Sequence, residues 1–566
     1  MAARRRVPTA QAEGETSPSV APDTQKPDLS ARGTWLAAWP GLLLASAVLL
    51  PFLGKAHAID DVTFLSQAKH VLHDPWHPTA FEMVADGHRL RLSSALATGP
   101  VMAWLLVPCV LLGGAEWVAH LLQWLLVCVV IFCTVRIGIR IGLGRSPARL
   151  AGLLVAGYPA MIGMATTSMS DVPAGAFAAL AMERFLAWHE ERRPLQGAAA
   201  ALAFACAGLA RSHALVLPLV ALALLGGPAD RRRRWTDALP LAVSWIVAYL
   251  VMLLTADPAA AHGTMLDAMR GRGLSPNWRG NLAAFGCHWL ATIPLAIPWL
   301  WARGWRLVRD VWSWLLFAVA GAYLLRAPVP PMPAPLAAAT ALAFAALVDV
   351  VRDARSRGDR VQMMLGAWLL PALTALLYVH LPCKLLLVSA PAAALLTARL
   401  IDRADARLPM AVAGALVAAG ATLGVLIVLA DSEFTDAGRR AAKLIVQPAV
   451  RAGVPVRFYG AWGAQWYAMQ AGAEVAAESD PDPEPGEILV VSASTPGATP
   501  RSLVGLEAVG EMGMASHFGR VISGPDDVGF YSNGFGYLPW TWRNGPIERF
   551  TVWRVRAATP APGRSR

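Results

Sequence analysis

Blocks of about twenty apolar residues recur from residue 35 to about residue 430, separated by short arginine-bearing loops. A helix of that length spans roughly the 30 Å hydrocarbon core of a bilayer, so each block reads as a membrane span. Only 15% of the residues are charged and 56% are hydrophobic, whereas soluble domains carry about 25% charged residues. The net charge of +11 does not point to nucleic acid, because the arginines lie in the loops between spans, where orientation demands them. Six cysteines (Cys109, Cys128, Cys133, Cys206, Cys287, Cys383) avoid the polar C-terminal part, and most lie in apolar runs. They read as small buried hydrophobes, not as a disulfide framework or a zinc cluster.

Residues 1–34 are rich in Pro, Ser, Thr, Ala and charge, including Arg4, Arg5 and Arg6, and are expected to form a disordered cytoplasmic tail. The first apolar run, about Trp35 to Leu53, starts too late and runs too long for a typical cleaved signal peptide, so it is expected to remain as the first span. An outer loop, 54–97, follows. Residues 98–113 are apolar but short and hold Pro100 and Pro108, which reads as an interfacial or re-entrant helix. About thirteen spans are expected in all. One set of loops carries twenty Lys and Arg and the opposite set ten. The excess puts the N-terminus in the cytoplasm and places the 54–97 loop, Asp171, Arg211 and Lys384 on the outer side. A full span at 98–113 would invert every later loop. Residues 431–566 have no span. There Val456–Tyr459 and Glu487–Val491 read as strands and Ala464–Gln470 as a helix. The expected architecture is an α-helical polytopic membrane protein with an interfacial-helix first outer loop (domain 35–430) and a small extracytoplasmic α/β domain (431–566).

Directly after the first span comes His57-Ala58-Ile59-Asp60-Asp61-Val62-Thr63-Phe64-Leu65. Carboxylates at a membrane boundary can simply be solvated. A pair that opens a semi-apolar loop can also supply a general base for an acceptor hydroxyl. On a helix, neighbours cannot face one point, so one acid would be the base and the other would cap the helix or position the acceptor. Asp171, in Ser170-Asp171-Val172-Pro173, reads either as a helix N-cap or as part of the same site. Arg211, Lys384, Arg270 and Arg279 lie at outer ends of spans. They either snorkel to headgroups or stabilise a leaving phosphate. Lys384, beside Pro382 in an otherwise apolar stretch, is the preferred phosphate cation. His57, His70, His73, His77 and His88 crowd the first loop, but their spacing is no recognised metal-ligand pattern. Among the tryptophans expected outside, Trp76, Trp462 and Trp466 could stack on sugars.

The layout resembles the C-type membrane glycosyltransferases, in particular the family containing protein O-mannosyltransferases and bacterial aminoarabinose transferases. Members have a first span, an outer loop opening with an acidic pair, and then interfacial helices. Asp60 matches the catalytic aspartate. Ser170-Asp171-Val172-Pro173 matches an Asp-x-Pro at the start of a later span. Arg211 with Leu217-Pro218, and Lys384 with Pro391, match two basic positions. Phe458-Tyr459-Gly460-Ala461-Trp462-Gly463 and Gly529-Phe530-Tyr531-Ser532 resemble the outer domain of bacterial members. Many members have His-Pro-Pro in the first loop, where this chain reads Ala97-Thr98-Gly99-Pro100. The resemblance implies a hexosyl- or pentosyltransferase of the cell envelope. It would use a polyprenyl-phosphate sugar at the outer face of the inner membrane, without a nucleotide sugar, and transfer by single displacement with inversion. It implies Asp60 as general base, Asp61 and Asp171 shaping the acceptor site, and Lys384 and Arg211 holding the donor phosphate. No metal and no cofactor beyond the lipid-linked donor are expected, and membrane lipid is the expected partner.

Two other classes fit a polytopic chain: a transporter or flippase with acids at mid-depth, and an envelope-assembly protein with a degenerate loop. The absence of internal repeats, the boundary position of the acids and the outer C-terminal domain favour a transferase over a transporter.

Overall fold

The computed structural model describes residues 31–95, 98–222, 224, 231–259, 277–326, 332–402, 410–502 and 504–556. The expectations for residues 1–30, Ala97 and Arg270 lie outside the described residues. The protein is a mainly α-helical, multi-pass membrane protein. Among the described residues, six helices are long and apolar enough to cross a bilayer: Arg32–Phe52, Glu116–Arg140, Trp235–Leu254, Ala334–Arg357, Cys383–Asp402 and Ala411–Arg451. Shorter apolar helices are Pro194–Ala210, Ser212–Leu222, Val311–Arg326 and Arg360–Leu376.

Several apolar blocks are broken where proline removes a helical N–H and restricts the residue before it. Helix Arg145–Ala156 stops at Gly157, and Tyr158 (φ −69°, ψ 124°) is extended ahead of Pro159. The block after residue 360 is α-helical over Arg360–Ala367 and 3₁₀ over Pro371–Leu377. Lys384 lies on another 3₁₀ stretch, Cys383–Ser389, before helix Ala390–Asp402. The alanine-rich helix Asp171–Glu191 is buried against Glu116–Arg140 and Pro194–Ala210, where small side chains let backbones approach closely. Gly175 shows how closely: a Cβ there would lie 3.2 Å from the Leu387 carbonyl oxygen.

The loop after the first membrane helix opens with an irregular stretch, then helix Asp61–Val71 and a hairpin of β1 (Glu82–Ala85) and β2 (His88–Arg91). Its two-residue turn has positive φ at Asp86 (48°) and Gly87 (85°), the geometry that suits the strands' twist. Gly87 also touches residues from the other end of the chain, since a Cβ there would lie 2.4 Å from the Ala498 nitrogen. Helices Val101–Leu105 and Val107–Leu111 follow. At about 7–8 Å each they are too short to cross.

The helix begun at Met410 does not end at the expected boundary near 430. It continues to Ala441, through a π turn at Ala442–Val446, to helix Gln447–Arg451. Beyond it, β3 (Val456–Tyr459), β4 (Glu474–Val475), β5 (Ile488–Ser492), β6 (Leu506–Ser516), β7 (Ile522–Ser523), β8 (Val528–Gly529) and β9 (Gly545–Val555) form. Five of them make a mixed sheet in the order β4-β3-β5-β9-β6, with β3 parallel to β4 and β5, and β9 antiparallel to β5 and β6. Helix Trp462–Gln470 connects β3 to β4 and packs on helix Asp61–Val71. The stretch after β8 enters the helical bundle, where Phe530 and Tyr531 join the main apolar core.

Candidate functional site

The stretch between the first helix and Asp60 is fixed from both sides. Lys55 is buried in an ion pair with Asp431 (2.7 Å) and donates to the Thr166 carbonyl (3.0 Å). The Tyr531 hydroxyl donates to the same Asp431 oxygen (2.7 Å). His57 is fully buried. Its Nε2–H donates to the Gly114 carbonyl (2.9 Å), which leaves Nδ1 to accept from the Ser168 hydroxyl (3.3 Å). Its backbone N–H donates to the Tyr467 hydroxyl (2.9 Å), and a Cβ on Gly463 would lie 1.9 Å from its carbonyl oxygen. A buried charge that loses its partner is costly, so Asp431→Ala is expected to destabilise by about 3–5 kcal/mol. Thermal unfolding in detergent checks this, and Lys55→Met/Asp431→Leu together should recover most of the loss.

The two adjacent acids divide their tasks as helix geometry requires. Asp61 is fully buried. Its Oδ2 accepts from the Ala58 N–H (2.6 Å) and its Oδ1 from the Ser168 N–H (2.7 Å). It shapes the turn and ties the loop to the buried 166–170 segment. Asp60 is the N-cap residue, but its side chain makes no capping hydrogen bond. The carboxylate turns away, is 44% exposed, and pairs through Oδ2 with Lys384 Nζ at 2.7 Å. Of the acidic pair, only Asp60 reaches solvent.

Asp171 is the first residue of its helix, and Ser170 takes the N-cap position. Its buried carboxylate pairs through Oδ2 with Arg211 Nη2 (2.5 Å). Its Oδ1 is buried with no hydrogen-bond partner among the described residues. Arg211 sits at the C-cap of Pro194–Ala210 in an extended conformation (φ −143°, ψ 120°), which directs it back toward Asp171. Met169 Sδ lies 3.5 Å from Lys384 Nζ. Asp60, Asp171, Arg211 and Lys384, remote in sequence, therefore form two neighbouring carboxylate–cation pairs. Partial loss of solvent pushes the Asp60 carboxyl up. The Lys384 charge and hydrogen bond, with the charges of Arg211 and His380, more than offset this and hold it below the usual carboxylate range.

Other residues singled out in the sequence go elsewhere. Arg279 is exposed over the Trp278 ring (5.5 Å). The loop histidines disperse: His70 lies against Phe81 (4.9 Å), His77 pairs with Asp74 (2.9 Å) and His88 with Glu478 (3.6 Å). Trp466 is buried beside His57, Trp462 lies between Phe434 and Phe535, and Trp76 is exposed. The six cysteines are free, and four are buried. Between helix Asp61–Val71 and helix Trp462–Gln470 is a cleft of about 540 Å³, lined by Ser66, Lys69, His70 and His73 together with Gln465 and Gln470. Sequence reasoning missed Ser168, Met169, His380, Asp431 and Tyr531. Only Tyr531 lay in a noted motif.

The fold and site define a polytopic membrane protein with an ionised, cation-paired aspartate just past its first membrane helix. Residues 97–256 match the family model of the dolichyl-phosphate-mannose-protein mannosyltransferases. That stretch holds Asp171 and Arg211. The resemblance to C-type membrane glycosyltransferases read from the sequence thus has a family-model match behind it. No match is found among curated proteins. Among solved structures, the chain is similar to ArnT from Cupriavidus metallidurans bound to undecaprenyl phosphate, at 16% identity and TM-score 0.45, covering 82% of this chain and 94% of that one. It is similar to the Archaeoglobus fulgidus oligosaccharyltransferase at 13% identity and TM-score 0.47, covering 79% and 65%. It is also similar to the mycobacterial arabinofuranosyltransferase AftD at 16% identity and TM-score 0.42, covering 94% and 42%.

Proposed function

We propose that this chain is a membrane glycosyltransferase that moves a sugar from a polyprenyl-phosphate carrier to an acceptor hydroxyl at the outer face of the inner membrane. The observation that carries the reading is the Asp60–Lys384 contact. It puts a solvent-reaching, ionised carboxylate beside a cation, with the Arg211–Asp171 pair close by. The family match supports the donor class.

In the proposed reaction Asp60 takes the acceptor's hydroxyl proton as that oxygen attacks the anomeric carbon. The bond from that carbon to the phosphate oxygen breaks, and the polyprenyl phosphate leaves with the electron pair. Attack from the face opposite the phosphate inverts the anomeric centre. Lys384 and Arg211 stabilise the charge that grows on the leaving phosphate. A lysine ammonium has three donors, so Lys384 can hold the phosphate without releasing Asp60. Asp61 and Asp171 act through position: Asp61 fixes the turn that presents Asp60, and Asp171 orients Arg211. The reading includes about thirteen crossings, a cytoplasmic N-terminus, a transferase domain over 35–430 and an extracytoplasmic part over 431–566. It needs no metal or other cofactor.

The test is transfer of radiolabelled sugar from a panel of polyprenyl-phosphate donors by purified protein in detergent, with membrane extracts as acceptor. Label transferred or released from one donor class supports the proposal. No turnover with any donor, from protein that unfolds cooperatively, overturns it.

A further inference from the structure

The geometry points to Asn533 as a positioning residue for Lys384, supplied by the C-terminal part of the chain. The inference rests on the reading of Lys384 as the phosphate-binding cation and adds what holds that lysine in place.

Lys384 is carried on 3₁₀ backbone, whose hydrogen bonds are poorer than those of an α-helix. The preceding residues, from Tyr378 to Pro382, are non-helical, and Leu381 and Pro382 are buried, so the Leu381 backbone groups need partners from elsewhere in the fold. Asn533 supplies one: its Oδ1 accepts from the Leu381 N–H at 2.8 Å. This fixes the orientation of its amide, and Nδ2 donates to Asn281 Oδ1 at 3.2 Å. Asn281 is then oriented too, with Nδ2 donating to the carbonyls of Leu376 (2.9 Å) and Tyr378 (2.7 Å). Two buried amides, 1% and 0% exposed, thus clamp the backbone from 376 to 381.

Three further contacts extend the clamp through the lysine's own segment. The Cys383 thiol donates to the Phe530 carbonyl (3.1 Å), His288 Nε2 donates to the Leu381 carbonyl (3.0 Å) and Trp368 Nε1 donates to the Val388 carbonyl (2.9 Å). Phe530 and Asn533 both belong to the stretch after β8 that enters the bundle. In surroundings of low dielectric such hydrogen bonds are directional and costly to leave unmade. The 2.7 Å approach of Lys384 to Asp60 therefore depends on a segment about 150 residues further along the chain. Losing one clamp bond is expected to weaken phosphate binding about tenfold.

The experiment uses full-length protein in nanodiscs with two readouts: affinity for undecaprenyl phosphate, and the rate at which an amine-reactive ester acylates Lys384, read by peptide mass. In Asn533→Ala, undecaprenyl phosphate binding should weaken about tenfold and Lys384 should be acylated several-fold faster as it loosens from Asp60, with unfolding still cooperative. Asn533→Asp, which keeps the acceptor for Leu381, should restore both in part. Asn281→Ala removes the other jaw and should move both readouts the same way, whether or not Asn533→Ala folds. Wild-type affinity together with wild-type acylation in either folded alanine variant overturns the inference. Wild-type affinity in Lys384→Met would instead remove the phosphate role of the lysine, and the acylation rate would still report its positioning.

Discussion

Asp60→Asn is expected to lower the rate of sugar transfer by about 10²–10⁴-fold, the range a positioned general base contributes. The amide is nearly isosteric and can still accept a hydrogen bond from Lys384, but it cannot take the acceptor's proton. Asp60 makes no capping bond and is 44% exposed, and the amide keeps the hydrogen bond from the buried Lys384, so thermal stability should fall only modestly through the lost counter-charge. The donor's KM should not rise, because the substitution removes a negative charge beside the phosphate cation. Initial rates at saturating donor, with an unfolding curve, check both parts. Retained transfer by a folded variant removes Asp60 from the base role. Asp61→Asn should behave differently, losing stability because Asp61 holds the backbone N–H groups of Ala58 and Ser168.

Lys384→Met is expected to reduce kcat/KM for the donor by about 10²–10³-fold, comparable to removing one fixed donor from a site of developing charge. It should also change the pH profile in a stated direction. Lys384 is the main influence holding the Asp60 carboxyl below its usual range, with smaller help from Arg211 and His380. Transfer requires Asp60 ionised and is lost as pH falls through its pKa. Removing the lysine raises that pKa, so the acid limb of the variant must move to higher pH. A limb that stays in place, measured between acid and neutral pH at saturating donor, would show that the ion pair does not set the protonation of the base.

The parts of this molecule legible in sequence are those encoded locally. Apolar blocks of bilayer length announce the membrane class, β-branched and aromatic residues mark β3 and β5, and the acidic pair after the first helix marks the loop. What the sequence leaves open is set by contacts between distant residues. Adjacency says that Asp60 and Asp61 cannot face the same point, but the choice of inner acid depends on the Ser168 N–H, and that of outer acid on Lys384. Hydropathy counts apolar blocks but does not see that Tyr158-Pro159 interrupts one and that two others become 3₁₀. The polarity change near 430 suggests a boundary, yet Asp431 is the buried partner of Lys55 inside a continuous helix. Gly529-Phe530-Tyr531-Ser532 draws notice as a pattern, but nothing periodic tells that it enters the helical core.

The entry of the 530–533 stretch into the bundle bears on how the protein is made. A ribosome that has synthesised Met410–Ala441 has already delivered Asp60, Asp171, Arg211 and Lys384 to the membrane. The carbonyl of Phe530, the hydroxyl of Tyr531 and the amide of Asn533 are still to be translated. Until those residues seat, Asp431 lacks the hydroxyl donor of Tyr531 and the lysine segment lacks its clamp. On the proposed reading, a copy stalled or truncated before residue 530 would hold Asp60 and Lys384 in an unfinished centre, so order of synthesis would act as a safeguard against premature transfer.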